Sequence, residues 1–293
     1  FLDTSSNDTS FYTPGFGQYI GARNNEGSPD RHTNGLITDV RVYDRALSSE
    51  EVQALYEQGS GDYTTRSLSD GSDSGAVSRW KFDNENNGTS TAQDFWGSNN
   101  GSVNGASYVS DSIRGKALSF TSGNDEYVDL GLSDNVLGSP GSNLGAVSLF
   151  FSTTSSSENY IFSNEGDNGG GRFYISTDGS EMRVYLNTTE NAVQIGSDNW
   201  YHVVVNFKSS SLADVYLNGS LVISDFSYSG FDFNAGSYIG TYKPGRSDTV
   251  LDGQVDDFRL YSRALSPSEV FELYQWGTRG RDLRKQLVNS RGL

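Results

Sequence analysis

The chain has no cysteine, one methionine, five prolines and two histidines in 293 residues. Without cysteine there is no disulfide, no thiolate nucleophile and no thiolate metal site. A Ser-His-Asp triad would rest on His32 or His202, and neither stands near a nucleophile-elbow pattern. A zinc site meets the same shortage. No apolar run is long enough to span a bilayer, so no membrane insertion by a helix is expected. No signal-peptide pattern stands at the start, which begins at Phe1. Positive charge is scarce: 21 Lys and Arg face 37 Asp and Glu, a net charge of −16. That balance argues against nucleic acid as a partner. Asp outnumbers Glu and Arg outnumbers Lys. Such an acidic, Lys-poor surface stays hydrated in high salt, so a halophilic source is one expectation and an ordinary acidic secreted protein the other. Helix signals are few. Gly, Ser, Asn and Thr are abundant, with 17 Tyr and 16 Phe, the profile of an all-β sandwich with many turns.

One stretch occurs twice without a gap. Gly35, Asp39, Arg41, Tyr43, Arg45, Ala46, Leu47, Ser48, Glu51, Val52, Leu55 and Tyr56 recur as Gly253, Asp257, Arg259, Tyr261, Arg263, Ala264, Leu265, Ser266, Glu269, Val270, Leu273 and Tyr274. Its first half alternates with period two and predicts a strand. Val255, Asp257, Arg259 and Tyr261 would share one face, and Asp256, Phe258 and Leu260 the other. The second half predicts a helix of about two turns. Ser266 is the N-cap, Pro267 the first helical residue, and Glu269 completes a capping box. Leu265 and Val270 form a hydrophobic staple. Gly277 is placed to end the helix. Ser48, Glu51 and Gly59 repeat the arrangement. Asp39 with Arg41, and Asp257 with Arg259, read as structural ion pairs.

The pattern Gly-x-hydrophobic-Asp-Asp-hydrophobic-Arg-hydrophobic-Tyr-x-Arg-Ala-Leu-Ser-x-x-Glu resembles the closing segment of laminin G-like (LamG-like, concanavalin A-like) jelly-roll modules. Trp80 to Asp83 resembles the opening strand of that family. Gly115 to Phe120 and Glu126 to Leu130 resemble its early hairpin, and Trp200 to Val205 and Val215 to Gly219 its central strands. Ser237 to Gly240 precedes the closing strand. The resemblance implies an all-β fold: a two-sheet jelly-roll sandwich with one short C-terminal helix per module. It divides the chain into the last part of a truncated module (1–59), a polar linker (60–75), a complete module (76–277) and a basic C-terminal tail (278–293). The missing part of the first module is expected upstream in the full gene product. The dipeptide Asn218-Gly219 between two apolar runs predicts a tight hairpin.

Catalysis is not expected. Glu126 and Asp129 invite comparison with glycosidases of this fold, but they stand three apart and point to opposite faces. A metal reading is open. If Phe258 and Leu260 face the core, Asp256 beside them needs a partner. Calcium shared with Asp83 and Asp94 would satisfy it, because calcium prefers carboxylate and carbonyl oxygen. Modules of this kind often carry such an ion. Hydrogen bonds from backbone amides or from Trp80 are the alternative, and Thr38 replaces Asp256 in the first copy. Glycan binding on this fold uses rim aromatics and polar loop groups. Trp96, Tyr160 and Tyr242 are candidates, as are Phe95 and Tyr228, with Glu165 and Asp167 from an oxygen-rich loop; core packing would explain any of the rings as well. The resemblance therefore implies a noncatalytic recognition or adhesion module of an extracellular, cell-surface or virion-surface protein, with a surface glycan or glycoprotein as partner. A structural role in a virion or surface filament is the alternative. There the tail, with Arg279, Arg281, Arg284, Lys285 and Arg291 against Asp282, would dock on other subunits.

Overall fold

A computed structural model describes residues 20, 22–25, 28–30, 75–83, 90–110, 113, 115–132, 140, 144–165, 172–178, 180–196, 199–229 and 236–290, with backbone alone for 23–25, 28–30, 165 and 279–290. The chain divides into two compact units, Phe1–Gln58 and Gly59–Leu293. In the first unit, β1 (Arg23–Asn25) and β2 (Ser28–Asp30) form an antiparallel pair. The first copy of the repeat, with Asp39, Arg41, Ser48 and Glu51, lies outside the described residues.

The second unit opens with β3 (Ala76–Trp80), β4 (Thr91–Ala92), β5 (Gly101–Asn104), β6 (Ser107–Val109), β7 (Ala117–Phe120) and β8 (Tyr127–Asp129). Longer strands follow: β9 (Ala146–Thr153), β10 (Glu158–Glu165), β11 (Arg172–Asp178), β12 (Glu181–Leu186) and β13 (Thr189–Gln194). The last strands are β14 (Trp200–Phe207), β15 (Leu212–Leu217), β16 (Ser220–Ser227), β17 (Ser237–Ile239) and β18 (Gly253–Tyr261), before helix α1 (Pro267–Ser290). One sheet runs β13-β12-β11-β10-β17-β8-β5-β4. The other runs β16-β15-β14-β9-β18-β7-β6, with β3 also on β18. The sheets pack face to face, as the all-β jelly-roll reading requires.

Alternation along each strand builds the core. On β12, Met182, Val184 and Leu186 are buried, while Glu181, Arg183 and Tyr185 are partly exposed. Phe162 contacts Phe258 at 5.1 Å between ring centroids, and Phe258 contacts Trp80 at 5.6 Å. Each such side chain contributes roughly 1.5–3 kcal/mol by leaving water. The hairpin at Asn218-Gly219 forms as expected: both residues have positive φ, 53° and 77°, as a type I′ turn needs.

The closing strand departs from its expected alternation. Val255 joins Phe258 and Leu260 in the main core. The pairing of β18 with β9 shifts between Asp256 and Arg259, and Asp257 takes φ 50°. This bulge inserts one residue and moves Asp256 off the face of Phe258. Asp256 is paired with Phe150, whose ring stacks on His202 at 4.4 Å outside the main core. Asp256 is buried there, on the helix side of the sheet.

The helix differs too. Its start is as expected: the Ser266 amide donates to Glu269 Oε2 at 2.7 Å, and the Glu269 amide donates to Ser266 Oγ at 3.3 Å. Leu265 and Val270 share a small core with Ala146, Val204, Tyr216, Tyr261 and Leu273. Gly277 does not end the helix, which continues to Ser290. A Cβ at Gly277 would lie 2.1 Å from Phe150 Cζ. The glycine is there to let α1 approach the sheet closely.

Candidate functional site

The outer face of the first sheet carries a cluster of tyrosines. Cross-strand pairing aligns Ser163, Tyr174, Tyr185 and Glu190 on successive strands of one rung. Tyr160, Ser176, Arg183 and Ala192 form the next rung. A register shift in β10 sends both Ile161 and Phe162 inward and leaves Tyr160 outside. Tyr174 lies parallel to Tyr185 at 4.6 Å, edge-on to Tyr160 at 5.1 Å, and Tyr160 meets Tyr242 at 4.9 Å. All four rings are partly exposed. Tyr242 is held at their side because the Ser163 hydroxyl donates to the Tyr242 carbonyl at 2.7 Å.

Charged groups edge this platform. The Tyr174 hydroxyl donates to Glu190 at 3.1 Å and the Tyr160 hydroxyl to Glu158 at 3.3 Å. Burial, with help from Glu190 and Glu158, pushes both phenols well above their ordinary pKa. They remain protonated donors at any physiological pH. Arg183 reaches Asp178, Glu181 and Glu190, and the exposed Arg172 guanidinium stands 5.9 Å over the Tyr242 ring. Half-buried aromatic rings beside carboxylates and hydroxyls suit a ligand with an apolar face and many hydroxyls.

Of the expected glycan contacts, Tyr160 and Tyr242 do come together. The backbone of Glu165 ends β10, and Asp167 lies outside the described residues. Trp96 is elsewhere: its ring packs on Tyr261 at 5.5 Å, with the small core beneath α1. Phe95 sits under the Lys81 ammonium at 4.0 Å, and Tyr228 belongs to the main core. Tyr174, Tyr185, Arg172 and Glu190 were not among the expected contacts. Their signal was present, since Arg172 and Tyr174 alternate with Phe173 and Ile175, and Tyr185 with Val184 and Leu186. Alternation reveals that these residues face outward but not that they meet.

The opposite outer face is built for structure. Asp257 accepts hydrogen bonds from Arg79 Nε at 2.7 Å and Arg259 Nε at 2.9 Å, all three residues being buried. Trp276 of α1 lies 4.7 Å from the Arg79 guanidinium and 4.6 Å from that of Arg259, and Trp96 stands over both at 5.9 and 5.6 Å. Burial alone would raise the Asp257 pKa, but Arg259 and Arg79 override it and hold the carboxyl well below its usual value. The expected Asp257–Arg259 pair is thus a triad.

Of the carboxylates expected to share calcium, Asp94 and Asp83 accept hydrogen bonds from backbone amides. Asp94 Oδ1 accepts from the amides of Arg79, Trp96 and Gly97, and Oδ2 from that of Asn99. Asp83 accepts from the Lys116 amide. Asp256 is on the helix side of β18, moved there by the bulge. Trp80 Nε1 donates to the Asn99 carbonyl rather than to a carboxylate. Among the described residues no three carboxylate or imidazole groups stand together as metal ligands. Glu126 and Asp129 both serve turns, accepting from the Thr121 and Gly131 amides.

A family model described as the concanavalin A-like lectin/glucanases superfamily matches residues 2–53 and 122–271. A comparison with curated protein sequences found no match. Among solved structures, domain 4 of an extracellular arabinanase from Geobacillus stearothermophilus, in complex with arabinotriose, is similar with TM-score 0.52 and 22% identity; the match covers 69% of this chain and 98% of that one. The botulinum neurotoxin serotype D binding domain gives TM-score 0.51 at 16% identity, over 69% of this chain and 51% of that one. A Trypanosoma rangeli sialidase in complex with the inhibitor DANA gives 0.52 at 17%, over 77% and 39%. The chain thus spans about half of the second and two fifths of the third. At these identities the likeness shows the sandwich fold, which enzymes and binding domains share.

Proposed function

Because this chain belongs to the concanavalin A-like lectin/glucanases superfamily, we propose that its tyrosine face is a noncatalytic glycan-binding surface of an extracellular, cell-surface or virion-surface protein. The observation that carries the reading is the joining of Tyr160, Tyr174, Tyr185 and Tyr242 on one open sheet face. Their rings supply apolar contact to sugar C–H faces, and the phenols and carboxylates supply hydrogen bonds to hydroxyls. The arabinotriose complex of the similar arabinanase domain supports an oligosaccharide on such a fold. Two observations support a noncatalytic role. His202 is buried against Phe150 and Ser148, and Glu126 and Asp129 are engaged in turns. Among the described residues no helix is long and apolar enough to cross a membrane. A tail docking on neighbouring subunits through its basic residues is compatible with this role.

The test is a glycan array followed by calorimetry on the best ligand. Tyr174→Ala is expected to weaken binding at least about tenfold while the far-UV spectrum is unchanged. Binding that ignores Tyr174→Ala and Tyr160→Ala, or an array without a ligand, would sink the reading.

A further inference from the structure

Three carboxylates occupy one rung of the tyrosine face. Glu158 is the direct cross-strand partner of Asp178, and Asp178 that of Glu181. Like charges placed so repel one another. Arg183 is shared among them, meeting Asp178 at 2.5 Å, Glu181 at 3.6 Å and Glu190 at 3.9 Å, and the Gln194 side-chain amide donates to Glu181 at 2.6 Å, while Arg172 stands at the Tyr242 end of the face. Among the described residues Glu158 accepts from the neutral Tyr160 hydroxyl. A second observation comes from the adjacent rung. Ser176, aligned between Tyr160 and Arg183 on the same outward face, is fully buried, and its hydroxyl has no hydrogen-bond partner among the described residues. Excess negative charge and an unmatched hydroxyl thus adjoin the ring platform. Aromatic faces attract cations, and an ammonium group offers three charge-assisted hydrogen bonds to carboxylate and hydroxyl oxygens.

We propose that this face selects sugars bearing a free ammonium group, of the glucosamine type, over neutral and anionic ones. The inference rests on the glycan-binding reading. The sugar ring lies on Tyr174 and Tyr160, and its ammonium enters the Glu158–Asp178–Glu181 rung. No bond is made or broken. Neutral sugars keep the ring contact and lose the ionic one; carboxylated or sulfated sugars are repelled.

The experiment compares three probes by calorimetry at low and at moderate salt: a β-1,4-linked glucosamine tetrasaccharide, its fully N-acetylated counterpart, and a galacturonate tetrasaccharide. The amine form is expected to bind at least about tenfold tighter than the acetylated one, with the advantage shrinking as salt rises, and the uronate weakest. In Asp178→Asn and Glu181→Gln the ratio of amine to acetylated affinity should fall towards one. Equal or tighter binding of the acetylated probe, lost in Tyr174→Ala, overturns the ammonium preference and leaves the glycan-binding reading standing. Amine binding untouched by Tyr174→Ala and Glu181→Gln shows unspecific attraction to the acidic body and overturns the proposal. No binding of any probe, with none on the glycan array, removes both.

Discussion

On the outer face of one sheet, Arg79, Asp257 and Arg259 are buried beneath α1 and bracketed by Trp96 and Trp276. On the outer face of the other, Tyr160, Tyr174, Tyr185 and Tyr242 stand half-exposed among carboxylates, and among the described residues no helix covers them. Both faces combine aromatic rings with charge. In the first, every charge is out of water and must be matched, so the arrangement serves the fold. In the second, water still reaches the rings and acids, so these groups stay accessible from outside. Among these elements burial separates structure from recognition better than residue type does.

The largest effect that would sharpen this contrast is on the covered face. Asp257→Asn strands two guanidinium groups and is expected to cost about 3–5 kcal/mol, read by denaturant titration. The matching change on the open face, Asp178→Asn, should cost no more than about 1 kcal/mol. A similar loss from both would break the distinction. Acid should also discriminate. Burial, and then Arg259, lowers the His202 pKa from 6.5 to about 3. The unfolded chain therefore takes up a proton that the native state refuses, and stability falls as pH drops from 6.5 towards 3. Asp257 adds a later loss, starting below its ordinary value near 3.8 and finishing as pH falls through about 2. His202→Gln should flatten the first limb of a stability–pH curve.

A smaller effect tests how the helix is seated. Gly277→Ala is expected to destabilise by about 1–3 kcal/mol through overpacking on Phe150. Phe150→Leu in the same chain should recover part of that loss, whereas simple addition of the two costs would refute the close-approach role. The smallest is the cap. Ser266→Ala should cost about 1 kcal/mol without changing ligand affinity on the far face.

Much of this arrangement was legible along the chain. The Asn218-Gly219 dipeptide marked its hairpin, and Ser266 with Glu269 marked the helix start. Each rests on contacts within a few residues. The errors arose where distant contacts intervened. Gly277 resembled a helix stop because its neighbour Phe150 is remote in sequence. Asp256 was placed on the core face because a bulge leaves no mark in a period-two pattern. The packing of Trp96 on Tyr261 and over the buried arginines, left open along the chain, forms only when β3 and β18 pair.

The amino-acid order by itself determined the all-β class, the repeat, the family resemblance and the local signals of strand, turn and cap, because these depend on short-range sterics and on the side-chain period. Only the tertiary structure decided which tyrosines form one surface and which charges are buried. Arg79 and Asp257 are 178 positions apart, and Tyr160 on β10 meets Tyr242 from the turn after β17, a contact that sequence spacing does not reveal. Such neighbours are chosen by strand order and register, which the packing of two whole sheets sets together.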